Sequence, residues 1–535
     1  MAWTAQAVIQ EVFLRILIMG SDNLAVPLRN LGCRVWTMGP EPDRDLLMRD
    51  PDPDWAMIQK ALKSKGITPD ALLVTDDLGS RKLPTGLWSA PLVTAFYGID
   101  SPINGFWQPF YARLFDLAFL DQLPQARELG RVHGQAHWLP VGINPDFYLG
   151  EETGPEEPGI CFVGVVEPSV RPKRSALLDL AARLAPLKVL GGRKGAWFPT
   201  EEAARLYRRY QIVLNENLFQ GVTTRPLEVM ASGGFLLTEA APGSMDLYFE
   251  DGCHLAYFKP DTFQEQVRRY LPDRELRQKI AVQGRELVLD CHTLTKRASE
   301  ILTRLEALVQ QKNGQQARTK NARALCAEGQ ALLMAGLRWP ALNGPKRVLR
   351  GAGRLNAAWE YGEESVEAFR ASGLAAVALG RWNQALTCLA RAYEAGSAID
   401  GLCLGLALAE SGQEEKAREI LKGISPAQAG LRAGVGTPQF HLAAARLLKD
   451  QGLSLSPGFG RGKLSPVFWT ALEHAMEAAR LRPTWFEPWE MMGDLLWENN
   501  APNEAHGFFQ KALFLSTDQN LAGKAARTAR EGYIQ

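Results

Sequence analysis

The pattern that most restricts the fold of this chain is an alternation that runs, restarts once and then stops. From Arg15 to about Gly150, the apolar runs RILIMG, CRVWTMG, ALLVTDD, PLVTAFYGID, DLAFLD and AHWLPVG alternate with amphipathic stretches: NLAVPLRNLG, DWAMIQKALKSKG, FWQPFYARLF and LPQARELGRV. Short, continuously apolar runs suit strands buried on both faces, and helices between them make a doubly wound α/β layer. The acidic, Gly- and Pro-containing GEETGPEEPG (150–159) reads as a linker. The alternation then restarts with the strands ICFVGVV, LKVLGG, QIVLNE, FLLTEA and CHLAYF. Between them lie RSALLDLAARLA, EEAARLYRRY and a short helix in VTTRPLEVMASGG, and three further helical stretches close the unit. Two such domains in tandem make a cleft, and ligands of open parallel sheets sit beyond the carboxyl ends of the strands.

After Gln311 the strand signal ends. QKNGQQARTKNAR is polar, and the remainder is rich in alanine and leucine. A repeat is visible in Gly373, Gly380, Trp382, Ala385 and Ala392, and Gly412 and Ala417 recur 32 residues after Gly380 and Ala385. Trp489, Gly493, Ala505, Phe509 and Ala512 repeat the scheme. The copy at 402–421 lacks the aromatics, and one around Phe440 to Pro483 is interrupted by GLSLSPGFGRGKLSP. The pattern resembles the tetratricopeptide repeat, a helix pair of about 34 residues that stacks into a concave surface for protein or peptide partners. The expected division is therefore 1–149, an N-terminal Rossmann-like domain; 150–159, the linker; 160–311, a second Rossmann-like domain; and 312–535, a helical repeat domain.

Composition narrows the function. A net charge of +1, from 60 basic and 59 acidic residues, argues against a nucleic-acid partner held by bulk electrostatics. The seven cysteines include no CxxC pair and read as reduced thiols, with no metal site. No apolar run approaches the roughly 20 residues of a membrane span. The N-terminus carries Glu11 and Arg15 in its apolar part and does not read as a signal peptide, so a cytoplasmic location is expected.

Candidate site residues cluster at strand ends. Gly164 ends a strand before Arg171, Lys173 and Arg174, a group that suits a diphosphate and equally a solvated basic loop. Gly191, with Gly192, Arg193 and Lys194, repeats the theme one strand later. Asn215 ends the next strand, where it suits a turn cap or a ligand contact. In VTTRPLEVM, Thr223 and Thr224 are candidate helix caps whose free amides suit a phosphate, with Arg225 adding charge. Glu228, one turn in, suits a ribose diol, or simply complements the helix dipole. Gly233 is expected to end that helix in a left-handed conformation. In the first domain the candidate general base is Asp100 in FYGIDSP, which also suits a turn start; Asp76, Asp77, His133 and His137 follow.

The stretch from Gln211 to Phe258, with ELRQKIAVQGRELVLDCHTLTKRASEIL after it, resembles the donor domain of bacterial glycosyltransferases of the group-1-like, spore-maturation type. FYGIDSP, YARLFDLAFLDQ and AHWLPVGINPDFY resemble their N-terminal half, so the resemblance spans about 14–305. It implies the two-Rossmann architecture called GT-B, with a nucleotide-diphosphate sugar (UDP-, GDP- or dTDP-linked) as donor substrate and no permanently bound cofactor or metal. On these positions Arg174 would contact the diphosphate, Arg225 would lie near the phosphates and Glu228 would take the ribose. Many retaining relatives carry two glutamates eight apart; here the first position is Gln220, with Glu216 out of register. The expectation is a transferase of hexosyl or related groups, its acceptor a protein or peptide gripped by the repeats. The alternative is a scaffold whose transferase-like half has lost catalysis, with a sugar-nucleotide epimerase on the same fold as a third option.

Overall fold

In the computed structural model the described residues are 14–76, 82–105, 107–150, 155–166, 172–191, 199–217, 221–312, 321–338, 343–422, 486–498, 502–516 and 519–532, with single helical positions between 442 and 479. They form two compact units. The first runs to Asn104 and resumes over Phe115–Arg318; the second takes Gly105–Leu114 and Thr319–Gln535.

The first unit holds two parallel sheets. One contains β1 (Arg15–Gly20), β2 (Arg34–Gly39), β3 (Leu46–Leu47), β4 (Ala71–Thr75), β5 (Val93–Gly98), β6 (Leu117–Leu120) and β7 (Ala136–Trp138) in the order β3-β2-β1-β4-β5-β6-β7. The strands are apolar on both faces because helices cover both: every residue of β4, β5 and β6 is buried. Helices α1 (Ala25–Asn30), α2 (Trp55–Ser64), α3 (Ser101–Asn104), α4 (Gln108–Ala112) and α5 (Leu123–Gly130) punctuate these strands in sequence. Asp54 caps α2 by accepting a 2.9 Å bond from the Met57 amide.

The second sheet contains β8 (Glu157–Val163), β9 (Leu187–Leu190), β10 (Tyr210–Asn215), β11 (Leu236–Glu239) and β12 (Ala256–Phe258), in the order β12-β11-β10-β8-β9. Its helices are α6 (Pro172–Leu184), α7 (Thr200–Arg209), α8 (Thr224–Ala231), α9 (Phe263–Tyr270), α10 (Arg274–Cys291) and α11 (Leu294–Lys312). The strand order reverses between β8 and β10, so the crevice outside their carboxyl ends is where a doubly wound sheet takes a ligand.

Two helices pack away from the elements that flank them in sequence. Although α11 follows the second sheet in sequence, Ala298, Ile301 and Leu305 on it join the core of the first, with Ile16, Leu73, Ala95 and Leu117. The chain crosses between the sheets twice, and the crossings pair at a parallel bridge, Ile143 with Thr293. A side chain at Gly142 would collide there with the Thr293 carbonyl, 2.9 Å from the place of its Cβ. The other is α4, read from sequence as a helix between strands of the first layer, which packs instead on the first long helix of the second unit, α12 (Ala322–Arg338). Its rings are the reason: Trp107 and Tyr111, 5.7 Å apart, are both fully buried.

The second unit continues with α13 (Gly344–Glu360), α14 (Val366–Ala378), α15 (Trp382–Tyr393), α16 (Ala398–Glu410) and α17 (Glu414–Lys422). Three helices then span Phe486–Glu498, Pro502–Leu515 and Gln519–Gly532. Consecutive helices pair as a tetratricopeptide-like array requires. Gly373 faces Leu389 so closely that a Cβ would stand 2.5 Å from its Cγ, and Gly493 meets the Phe509 ring at 2.6 Å in the same way. Ala385, Ala392, Ala417, Ala505 and Ala512 are fully buried. The pair α16 and α17 forms without the aromatics. The interrupted copy around 440–483 lies almost wholly outside the described residues.

Candidate active site

At the switch point of the second sheet, β8 ends at Val163 and Gly164 turns with φ +149°. The space a side chain would take there is filled by Arg225, whose Nη2 stands 2.7 Å from the place of the missing Cβ. A Cβ on Gly191, φ +97°, would stand 2.7 Å from the Gly164 carbonyl oxygen, so this pair of glycines lets two strand ends lie backbone to backbone. Arg174, near the front of α6, is buried. Its Nε and Nη2 each lie 2.9 Å from Glu216 Oε2, and its Nη1 donates to the Val165 carbonyl at 2.8 Å. Glu216, set aside from sequence as out of register, is thus the ion partner of Arg174. Both Arg174 and Arg225 lie over the Phe162 ring at 5.2 Å. Asn215 neither caps a turn alone nor points free: it accepts from Arg225 Nη1 at 3.3 Å and donates to Asn217 and Thr238 at 2.9 Å. It aims the Arg225 guanidinium across the strand end. Arg171, Gly192, Arg193, Lys194 and Gln220 lie outside the described residues.

Helix α8 begins beside this group. Thr223 is its N-cap residue, in extended conformation, yet its hydroxyl makes no capping bond. Glu228 is the fifth residue of the helix, past the first turn, so the simple dipole-complement reading is weakened. Tyr148, Thr224 and the Arg225 charge are near enough to its carboxylate to favour the charged form. Burial nonetheless pushes its pKa up, against Arg225 and the two hydroxyls. Gly233 ends the helix at φ +82°, with the Gly234 amide bonded back to the Val229 carbonyl at 3.0 Å.

The first sheet contributes a second cluster. Asp100 follows β5 at φ +52°, left-handed backbone that a non-glycine residue adopts only when its surroundings fix it. What fixes it is Asp121, the residue after β6. This buried carboxylate accepts from the Asp100 amide (2.8 Å), the Ser101 amide (3.0 Å), the Ser101 hydroxyl (2.5 Å) and Gln122 Nε2 (3.0 Å). The Asp100 carboxyl is half-buried, no described residue donates to it, and burial raises its pKa. Asp76, after β4, is buried and receives Asn104 Nδ2 at 3.5 Å, so Asp76, Asp100, Asn104 and Asp121 share one edge. Asp77 lies outside the described residues. His133 precedes β7 and so sits at the opposite, amino edge, 3.0 Å from the Phe115 carbonyl. His137 lies mid-strand against Phe119, its pKa lowered by burial. Neither histidine shares the Asp100 edge.

Sequence reasoning missed Asp121, Gln122, Asn104 and Tyr148. The available signal was the pair Asp-Gln closing the otherwise apolar run LAFL at a carboxyl edge.

Residues 171–303 match a family model described as glycosyl transferase-like, and no curated protein matches the chain significantly. The match covers α6 through most of α11, the region that holds Arg174, Asn215, Arg225 and Glu228. Among solved structures the chain is similar to a glycosyltransferase from Rickettsia africae: 10% identity and a TM-score of 0.38, over 56% of this chain and 99% of that one. It is also similar to sucrose-phosphate synthase from Thermosynechococcus elongatus, at 12% identity and a TM-score of 0.40, over 56% and 100%. A third is HepE from Anabaena in complex with UDP and glucose, at 11% identity and a TM-score of 0.39, over 55% and 100%. The glycosyl transferase-like match thus falls on the second of two tandem parallel-sheet α/β layers, which helical repeats follow. Among the described residues no helix is long and apolar enough to cross a membrane.

Proposed function

We propose that the protein transfers a hexosyl or related group from a nucleotide-diphosphate sugar to an acceptor recruited by the helical repeats, most simply a protein. One observation carries this: at the strand-order reversal of the matched domain, Arg225 and Glu228 sit together on the opening turns of α8, oriented by Asn215 and Tyr148. In this reading the α8 amides at Thr223 and Thr224 and the Arg225 guanidinium take the diphosphate charge, so no metal is required. Glu228 accepts from the ribose hydroxyls. Asp100 removes the acceptor proton, a role that suits a carboxyl with no donor among the described residues and a raised pKa. Arg174, already neutralised by Glu216, supports Phe162 and the strand end more than it meets the diphosphate.

The test is nucleotide release and thermal shift with UDP-, GDP-, dTDP- and CMP-sugars. A response to at least one donor is expected, and silence with all of them sinks the enzymatic reading. Glu228→Ala should weaken nucleotide binding about 10- to 100-fold in calorimetry, the loss of charge-assisted bonds, while the melting temperature stays near wild type. Unchanged affinity removes Glu228 from the site. The burial of Arg174 against Glu216 also favours a second reading, in which the transferase-like half has lost catalysis and the repeats bind a partner. Partner capture that survives Glu228→Ala in a protein inert toward all donors would favour it.

A further inference from the structure

One buried side chain ties the two halves of the candidate site by hydrogen bonds. Gln122 follows Asp121 and serves as the N-cap residue of α5, with its side chain almost completely buried. Its Oε1 accepts from the Val222 amide at 3.0 Å, and its Nε2 donates to the Val222 carbonyl at 2.8 Å. A single amide thus pairs with both polar groups of one backbone residue, 100 positions away, as a neighbouring strand would. The second Nε2 hydrogen goes to Asp121 Oδ2 at 3.0 Å, the same oxygen that takes the Asp100 amide. Every donor and the acceptor of the Gln122 amide are used. Val222 directly precedes Thr223, the N-cap of α8. An unbroken path of hydrogen bonds, buried from Asp121 onward, therefore runs from the Asp100 backbone, through Asp121 and Gln122, to the front of the helix bearing Arg225 and Glu228.

Other described contacts also join the two sheets, and Ile99, beside Asp100, packs on the core of the second. Trp138 meets Tyr248 at 5.0 Å with the rings tilted, Tyr248 meets His292 at 4.8 Å, and Ile143 pairs with Thr293 at the chain crossings. The ring and Ile99 contacts pack one sheet against the other through side-chain surfaces. Gln122 holds the carboxyl edges, where the donor-side helix and the acceptor-side aspartate must be brought into register.

We propose that Gln122 is a positioning residue that fixes the front of α8 against the Asp100 turn, so that donor and base are held in reacting geometry. This rests on the transferase reading of the site. Reacting groups need placement within a fraction of an ångström, and a misplacement of about 1 Å can cost two orders of magnitude in rate. A tie that acts on the backbone of both halves affects turnover without contacting the nucleotide.

The experiment uses the full chain and two variants, Gln122→Ala and the isosteric Gln122→Glu. Hydrogen exchange at the Val222 amide, measured without ligand, reads the tie itself. Exchange should rise at least about tenfold in Gln122→Ala, the loss of buried hydrogen bonds. It should rise less in Gln122→Glu, which keeps the acceptor for the amide and loses the donor for the carbonyl. Turnover of whichever donor sugar the wild type accepts should fall tenfold or more in Gln122→Ala, with Kd for the bare nucleotide within about threefold of wild type and Gln122→Glu between the two. Unchanged exchange at Val222 overturns the tie. Faster exchange with unchanged turnover, or equal losses of affinity and turnover, overturns the positioning role. A wild type that turns over no donor instead overturns the transferase reading, and the exchange measurement still decides whether the tie exists.

Discussion

Asp121 is the residue on which the most local chemistry converges. Burial pushes its pKa up to about 6, against four hydrogen bonds that hold its charged form, and the nearby Asp100 carboxyl adds to the rise. Between about pH 4 and 6 the folded protein keeps a proton there that the unfolded chain has released. Its stabilising contribution is thus full below pH 4 and lost as pH rises through 6, a change on the order of 3 kcal/mol. Urea midpoints across pH 4 to 7 should show the wild type losing stability relative to Asp121→Asn over that window; parallel curves would mean that the carboxyl is ionised throughout. Residues of this kind were poorly legible in the sequence. Asp100 stood out because it ends a strand, and Glu228 because it follows a helix cap, both features of position along the chain. Asp121, Gln122 and Tyr148 act through partners 20 to 100 residues away, and Glu216 was visible only as a carboxylate in the wrong register. One sequence gives spacing along a chain, and these roles are set across it.

Elements were far easier to read. Each quoted strand run contains an observed strand, because a run of four to six apolar residues between punctuating glycines and prolines has few other ways to bury itself. Only the two-residue β3, Leu46–Leu47, lacked any periodicity to detect. The helix pairs were legible through their small residues, which the structure explains by contact distance. Gly373 abuts Leu389 on α15, so Gly373→Val should cost about 1–3 kcal/mol from overpacking, with thermal unfolding of the helical unit as the readout. Gly353 on α13 has open space around it, and Gly353→Ala should be neutral or slightly stabilising. Equal losses at both positions would mean that helix propensity, rather than the crossing, sets the cost. What the element patterns could not give was the partner of each helix: α4 and α11 carry ordinary amphipathic sequences, and only the contacts reveal which core each one joins.

At the scale of the molecule, the chain passes between its two units at 104/105, 114/115 and 318/319, so the helical unit is more than an appendage at the end. Arg113 reinforces the internal segment, its Nη1 lying 3.2 Å from both carboxylate oxygens of Glu367. Cutting the chain at 318 should therefore expose Trp107 and Tyr111 and yield a fragment that melts lower and binds a hydrophobic dye, whereas a chain extended through α13 should recover much of the loss. A fragment as stable as the same region of the whole protein would show that α4 finds adequate cover without α12. The arrangement also has a consequence for biosynthesis. The ribosome makes Gly105–Leu114 more than 200 residues before α12 is complete. At 5–20 residues per second, two large rings wait on the order of 10–45 s for the surface that covers them. Nascent chains of intermediate length are thus the ones expected to need chaperone protection most.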